Sequence, residues 1–130
     1  DSVDTPRLAR KISEAAQRQK TKQRVLLQIN SGGETNKTGF DPKDKKTIID
    51  CFKNEGLIIE GLMTMGPNTQ KQKRIDQAFI ITKNLFDEIN KDMKTKMTTL
   101  SMGMSGDFRI AIKRGSTAVR VGTAIFGPRG

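Results

Sequence analysis

Two short stretches near the end of the chain combine the residue types that hold phosphate. "LSMGMSG", from Leu100 to Gly106, sets Ser101 and Ser105 on either side of Gly103. "VRVGT", from Val119 to Thr123, sets Gly122 and Thr123 directly after Arg120. Hydroxyls and the free backbone N–H groups of an opening helix bind anions, helped by the helix dipole. Gly103 lets the backbone turn tightly between the two serines. The same residues also end strands and cap helices in proteins that bind nothing, so spacing alone leaves both readings open. Arg120 is sharper. A guanidinium between Val119 and Val121 points to solvent or to an acceptor, because burial without one is costly. Facing inward, it meets an anion or a ring nitrogen; a salt bridge with an interior carboxylate is the structural alternative.

What the chain lacks narrows the chemistry further. It has no His, which removes the Ser-His-Asp and Cys-His arrangements and the commonest zinc ligand. No metal site is expected. Cys51 is the only cysteine, so no intrachain disulfide forms. Its neighbours Ile48, Ile49 and Phe52 place it on an apolar helix face, where it reads as a buried, inert thiol. The net charge of +10 invites an anionic partner. The positive residues are dispersed, however, and Tyr and Trp are absent, so no base-stacking platform is evident and nucleic acid is not expected. No apolar run approaches the roughly 20 residues of a membrane span, and no membrane partner is expected either.

These residues need elements to position them. Asp4 or Thr5 caps a first helix with Pro6 at its first position, and Leu8, Ile12 and Ala15 or Ala16 recur inward at helical spacing. "RVLLQINSGG" reads as a buried strand and its exit loop. "FDPKDKKTIIDCFKNEG" reads as a helix capped by Asp41, with Pro42 first, Ile48, Ile49 and Phe52 inward and Gly56 near its stop. "LIIEGLMTMG" is a second strand. "KRIDQAFIITKNLFDEINKDM" carries Ile75, Ala78, Phe79, Leu85, Phe86 and Ile89 at a clear helical period. "TTLSMG" is a third strand, "SGDFRIAIKRG" a short helix, and "TAVRVGTAIFG" a fourth strand turning into a helical start.

Strict alternation of helices with continuously apolar strands predicts an α/β fold with parallel strands covered by helices. The chain of 130 residues is one domain. Four β/α units make half of an eightfold barrel or a small open sheet. Ligands in such folds bind beyond the carboxyl ends of the strands. That selects the loops Asn30–Gly39, Met65–Asn68, Gly103–Gly106 and Gly122–Phe126. In (β/α)₈ barrels the phosphate site often comes from the loops after strands seven and eight, and the last two loops hold those places if this is the second half of a barrel.

"GLMTMG", "LSMGMSGDFRIAI" and "GSTAVRVGTAIFGPR", in this order, resemble the pyridoxal 5′-phosphate (PLP) homeostasis proteins. These are also called the proline-synthetase-co-transcribed or alanine-racemase-like family. The resemblance extends upstream through "QINSGGETNKTGF" and "DSVDTPRLARKI" and covers nearly the whole chain. It implies the C-terminal half, about four β/α units, of a PLP-binding (β/α)₈ TIM-type barrel. It also implies roles: Ser101 or Ser105, with Gly122 and Thr123, at the cofactor phosphate; Arg120 at the pyridine nitrogen; Met63 and Thr64 beneath the ring. Lys37 and Gly39 match the family's loop after "QIN". An arginine at the ring nitrogen disfavours its protonation and weakens PLP as an electron sink.

The family's Schiff-base lysine lies on a first strand that has no counterpart here, and the chain begins without Met, as though upstream sequence preceded it. Residues 1–130 are therefore read as one domain, the C-terminal part of the barrel, with the N-terminal half absent. Its partners are PLP or phosphate and either that missing half-barrel or a second copy. The expected role is a carrier or buffer in PLP and vitamin B6 homeostasis rather than an enzyme, in the cytoplasm, with the mitochondrion as the alternative location. Two rivals remain: a fragment of a fold-type III racemase or decarboxylase, and a basic interaction module with a vestigial site.

Overall fold

The computed structural model describes residues 2–32, 38–65, 72–94 and 97–102, together with the backbone of 119–121 and 124–126. Val3 is fully buried and, with Ser2, forms β1 (Ser2–Val3). Two residues are too few to carry a period, and the sequence offers no sign of this strand. Thr5 then caps α1 (Pro6–Arg18), its hydroxyl accepting the Leu8 N–H at 3.1 Å, with Pro6 opening the helix.

The buried face of α1 is rotated from the expected one. Ala9, Ser13 and Ala16 are buried, Ile12 is partly buried, and Leu8 is exposed. The reason is closeness. Ser13 Oγ accepts the N–H of Gly56, just before β3, at 2.8 Å. A helix this near the sheet accepts only small side chains on its contact stripe, so the larger Leu8 is turned outward.

The chain continues into β2 (Gln23–Gln28) and then to α2 (Lys45–Asp50), which passes into a 3₁₀ turn over Cys51–Lys53. Asp44 caps α2, not Asp41: its carboxylate accepts the Thr47 N–H at 3.3 Å and the Thr47 hydroxyl at 2.7 Å. Asp41 instead accepts the Lys43 N–H at 2.9 Å. That side-chain turn competes with helix for the Asp-Pro-Lys-Asp stretch and delays the helix start. Lys45 ties α2 to the next helix through Glu88 at 2.7 Å and Asp92 at 2.8 Å.

β3 (Leu57–Thr64) leads to the long α3 (Gln72–Met93) and then β4 (Thr99–Met102). The strands lie in the order β1-β2-β3-β4, all parallel. Between β2 and β3 the register slips, with Val25 opposite Ile59 and Leu26 opposite Gly61, so Glu60 is an extra residue. Its carbonyl accepts the Thr98 N–H at 2.9 Å. One sheet face, with Val25, Leu27, Ile29, Leu62, Leu100 and Met102, packs on Ile75, Phe79, Phe86 and Ile89 of α3 and on Ile48 and Cys51. The α3 residues are those whose period the sequence shows.

The fold class is as expected: α/β, with four parallel strands in an open sheet. Its membership differs. β5 (Val119–Val121), expected as the fourth parallel strand, pairs antiparallel with β6 (Ala124–Phe126) in a separate two-stranded sheet, and β1 takes the fourth place. The helical start expected after Arg120 is replaced by a strand. Val121 lies opposite Ala124, and Ile125 and Phe126 favour extended backbone. The expected helix in "SGDFRIAIKRG" lies outside the described residues. Among those described, no helix is long and apolar enough to cross a membrane.

Candidate functional site

Alternation along parallel strands sorts the strand ends into two faces. Leu62 and Leu100 pair in register and belong to the core against the helices. Their neighbours Met63 and Ser101 also pair in register and therefore face the other way. Gln28 pairs with Met63 from the opposite side. Gln28, Met63 and Ser101 thus form one row across β2, β3 and β4, on the face opposite the described helices and at the carboxyl ends. Met63 and Ser101 are both buried, at 3% and 6% exposure. This is the position at which parallel α/β folds bind ligands.

Two of the sequence-predicted site residues, Met63 and Ser101, are therefore neighbours. Thr64 pairs with Met102, a core residue, so it does not share their face. Consecutive strand residues point to opposite sides, so Met63 and Thr64 leave β3 on different faces, and Thr64 borders a small pocket with Gln28. Arg120 is the middle residue of β5, opposite Ile125; only its backbone is described. Ser105, Gly122, Thr123 and Lys37 lie outside the described residues.

The described ends of the loop after β2 meet at the same end of the sheet. Phe40 returns beside Ile29 as a parallel bridge. The Phe40 N–H donates to the Gln28 carbonyl at 2.8 Å, and the Asn30 N–H to the Phe40 carbonyl at 2.8 Å. Gly39 makes the return possible with φ of +124°, a backbone conformation that other residues adopt only under strain. The Gln28 side-chain amide donates to the Thr38 hydroxyl at 3.3 Å. Gln28, Asn30, Ser31, Thr38, Thr64 and Met65 border a small pocket of about 20 Å³ between the loop and the ends of β2 and β3. That is room for about one water, so the pocket is an edge of a site rather than a whole one. Its lining is neutral and rich in hydrogen-bonding groups.

Sequence reasoning selected this loop by its place after a strand but did not single out Gln28 or Ser31. The signal was the polar ending of an apolar run, "LLQINS". Cys51 is as expected, buried with its thiol donating to the Thr47 carbonyl at 3.5 Å. Burial first, and then the charge of Asp50, push that thiol up to about 11. Among the described residues no group of His, Cys, Asp or Glu is arranged to hold a metal ion.

The geometry has relatives. The family "Alanine racemase, N-terminal domain" matches residues 2–130. The pyridoxal phosphate homeostasis protein of Aquifex aeolicus is 35% identical over 129 residues, 98% of this chain and 57% of that protein. A protein of unknown function from Bifidobacterium adolescentis has a solved structure that superimposes with a TM-score of 0.89 at 37% identity, over 97% of this chain and 53% of that one. PipY of Synechococcus elongatus, solved with PLP bound, superimposes with a TM-score of 0.80 at 27% identity, over 93% of this chain and 57% of that one. The chain spans about half the length of the curated relatives it matches. It matches the pyridoxal phosphate homeostasis proteins along nearly all of its own length, and it belongs to the alanine racemase N-terminal domain family.

Proposed function

We propose that this chain forms the C-terminal part of a PLP-binding barrel whose work is to hold and pass on the cofactor rather than to turn over a substrate. The observation that carries the reading is the in-register pair Met63–Ser101, buried on the face opposite the described helices at the carboxyl ends of β3 and β4. The residues fit the group. A serine hydroxyl suits a phosphate oxygen as a hydrogen-bond donor, and a thioether packs on a ring without competing for hydrogen bonds.

In this reading Ser101 or Ser105, with Gly122 and the hydroxyl and backbone N–H of Thr123, holds the phosphate, and Met63 supports the ring. Arg120 sits at the pyridine nitrogen, keeping that nitrogen unprotonated. Bound PLP supplies an electron sink, and an arginine partner weakens it. That favours carriage over carbanion chemistry. The anchoring lysine comes from the remaining part of the full-length protein. The remaining strands add to the edges at β1 and β4, and they cover Ile58, which is 41% exposed here.

Titration of the full-length protein with PLP, followed by absorbance, tests the reading. Saturable binding that Arg120→Ala and Thr123→Ala weaken, with the fold intact, supports it. Unchanged affinity in both variants removes the site assignment. Racemase or decarboxylase turnover of amino acids would favour the enzyme instead.

A further inference from the structure

The buried stripe of α3 runs through Ile75, Ala78, Phe79, Leu85, Phe86 and Ile89. Thr82 occupies its centre and is fully buried. An apolar side chain there would avoid burying a polar group, so the hydroxyl calls for an explanation. Thr82 Oγ1 donates to the Ala78 carbonyl at 2.9 Å. The same oxygen is hydrogen-bonded to Ser31 Oγ, and Ser31 is also buried. A threonine hydroxyl has one proton, which Ala78 takes, so Ser31 is the donor in the second bond.

This bond joins residues far apart in sequence, on two different elements. Ser31 opens the loop after β2, which borders the pocket at the ends of β2 and β3. The loop's far end is held by the sheet through Phe40 and Gln28. Its near end is held from the helix layer through Ser31 and Thr82. The two anchors hold the described ends of the loop, Asn30–Ser31 and Thr38–Phe40, beside the ends of β2 and β3.

We infer that Thr82, acting through Ser31, is a positioning residue that holds the start of the loop after β2 at the pocket beside Gln28, next to the cofactor site. This rests on the PLP-binding reading above. The two residues differ in what their loss leaves behind. Ser31→Ala removes the donor while Thr82 keeps its bond to Ala78, so no polar group is orphaned. Thr82→Val leaves the Ser31 hydroxyl buried without its acceptor, and destabilises more. Thr82→Ser keeps the acceptor.

The test uses the full-length protein with three readouts: melting temperature, hydrogen exchange of the Asn30 and Phe40 amides without PLP, and the PLP dissociation constant. Ser31→Ala is expected to speed exchange at both amides and to weaken PLP about fivefold, with little change in melting temperature. Thr82→Val weakens PLP to a similar extent and also lowers the melting temperature. The double variant binds no worse than Thr82→Val alone, and Thr82→Ser restores wild-type exchange and affinity. Unchanged PLP affinity in Ser31→Ala overturns the inference, whatever exchange shows. So do additive losses in the double variant. If the wild-type protein does not bind PLP, the functional reading fails and takes this inference with it. If the wild type binds and Ser31→Ala binds equally well, only the inference fails.

Discussion

At Gly61 the backbones of β3 and β4 leave no room for a Cβ, and Gly61→Ala measures what that closeness is worth. A Cβ at this position would lie 1.6 Å from the carbonyl oxygen of Thr99. An ordinary contact needs 3.4 Å or more, and both groups are strand backbone, so no flexible side chain can absorb the difference. The strands must separate by roughly 2 Å, beyond what a backbone hydrogen bond of about 2.9 Å tolerates. The ladder beside Gly61 and the bond from Thr98 N–H to the Glu60 carbonyl both suffer. Overpacking costs about 1–3 kcal/mol and each broken buried hydrogen bond about 1–3 kcal/mol more. A total of about 4 kcal/mol corresponds to a fall of roughly 10 °C in the melting temperature of a domain of some 200 residues. Met63 and Ser101 lie two residues further along the same strands, so PLP affinity falls with stability. Thermal unfolding of the full-length Gly61→Ala protein gives the answer. A melting temperature within about 2 °C of wild type would refute the close approach and, with it, the alignment of Met63 with Ser101.

Thr5→Ala removes the cap of α1 and is expected to cost about 1 kcal/mol, read as a fall of about 2–4 °C in melting temperature; Asp4→Ala, one residue earlier, leaves it nearly unchanged. If Ser101 holds the phosphate as proposed, Ser101→Ala weakens PLP about tenfold or more without unfolding the protein; equal affinity would exclude Ser101 from the phosphate. Cys51 in the native protein reacts slowly with a thiol reagent at pH 8 and quickly once unfolded, and rapid native labelling would contradict its burial. Its thiol, pushed up from an ordinary 9.0 to about 11, favours the folded state only while protonated. That contribution is full below pH 9 and is lost as pH rises toward 11. A Cys51→Ala protein should therefore show a shallower loss of stability across this range than wild type.

The long elements were legible because their signals are local. The α3 stripe from Ile75 to Ile89 repeats often enough to fix a helix and its buried face, and "RVLLQ" and "LIIEGLMT" are apolar runs too short for helices. Where the outcome depends on what lies across the structure, local signals fail. Leu8 looks like a core residue until Ser13 meets Gly56, and the approach of α1 then selects Ala9 and Ala16 instead. Asp41 and Asp44 are equally good caps in sequence, and the side-chain turn at Asp41 decides between them. β1 has two residues and exists only because β2 pairs with it. The hairpin of β5 and β6 turns on the pairing of Val121 with Ala124, which helix-start residues do not reveal.

The candidate site divides in the same way. Ser101 and Met63 were legible from motifs at strand ends, and strand register makes them neighbours. Thr64 was legible as a strand-end residue, but its face was not, because the pleat counts single residues. Gln28 contributes through its register with Met63. Ser31 and Thr82 meet across 51 residues of sequence, and nothing in either segment announces the other.

The most direct test of the central claim is a crystal structure of the full-length protein with PLP. The account predicts the phosphate within hydrogen-bonding distance of the Ser101 hydroxyl, Met63 against the ring and Arg120 at the pyridine nitrogen. A cofactor bound elsewhere, or one whose phosphate has no contact with Ser101, would contradict it.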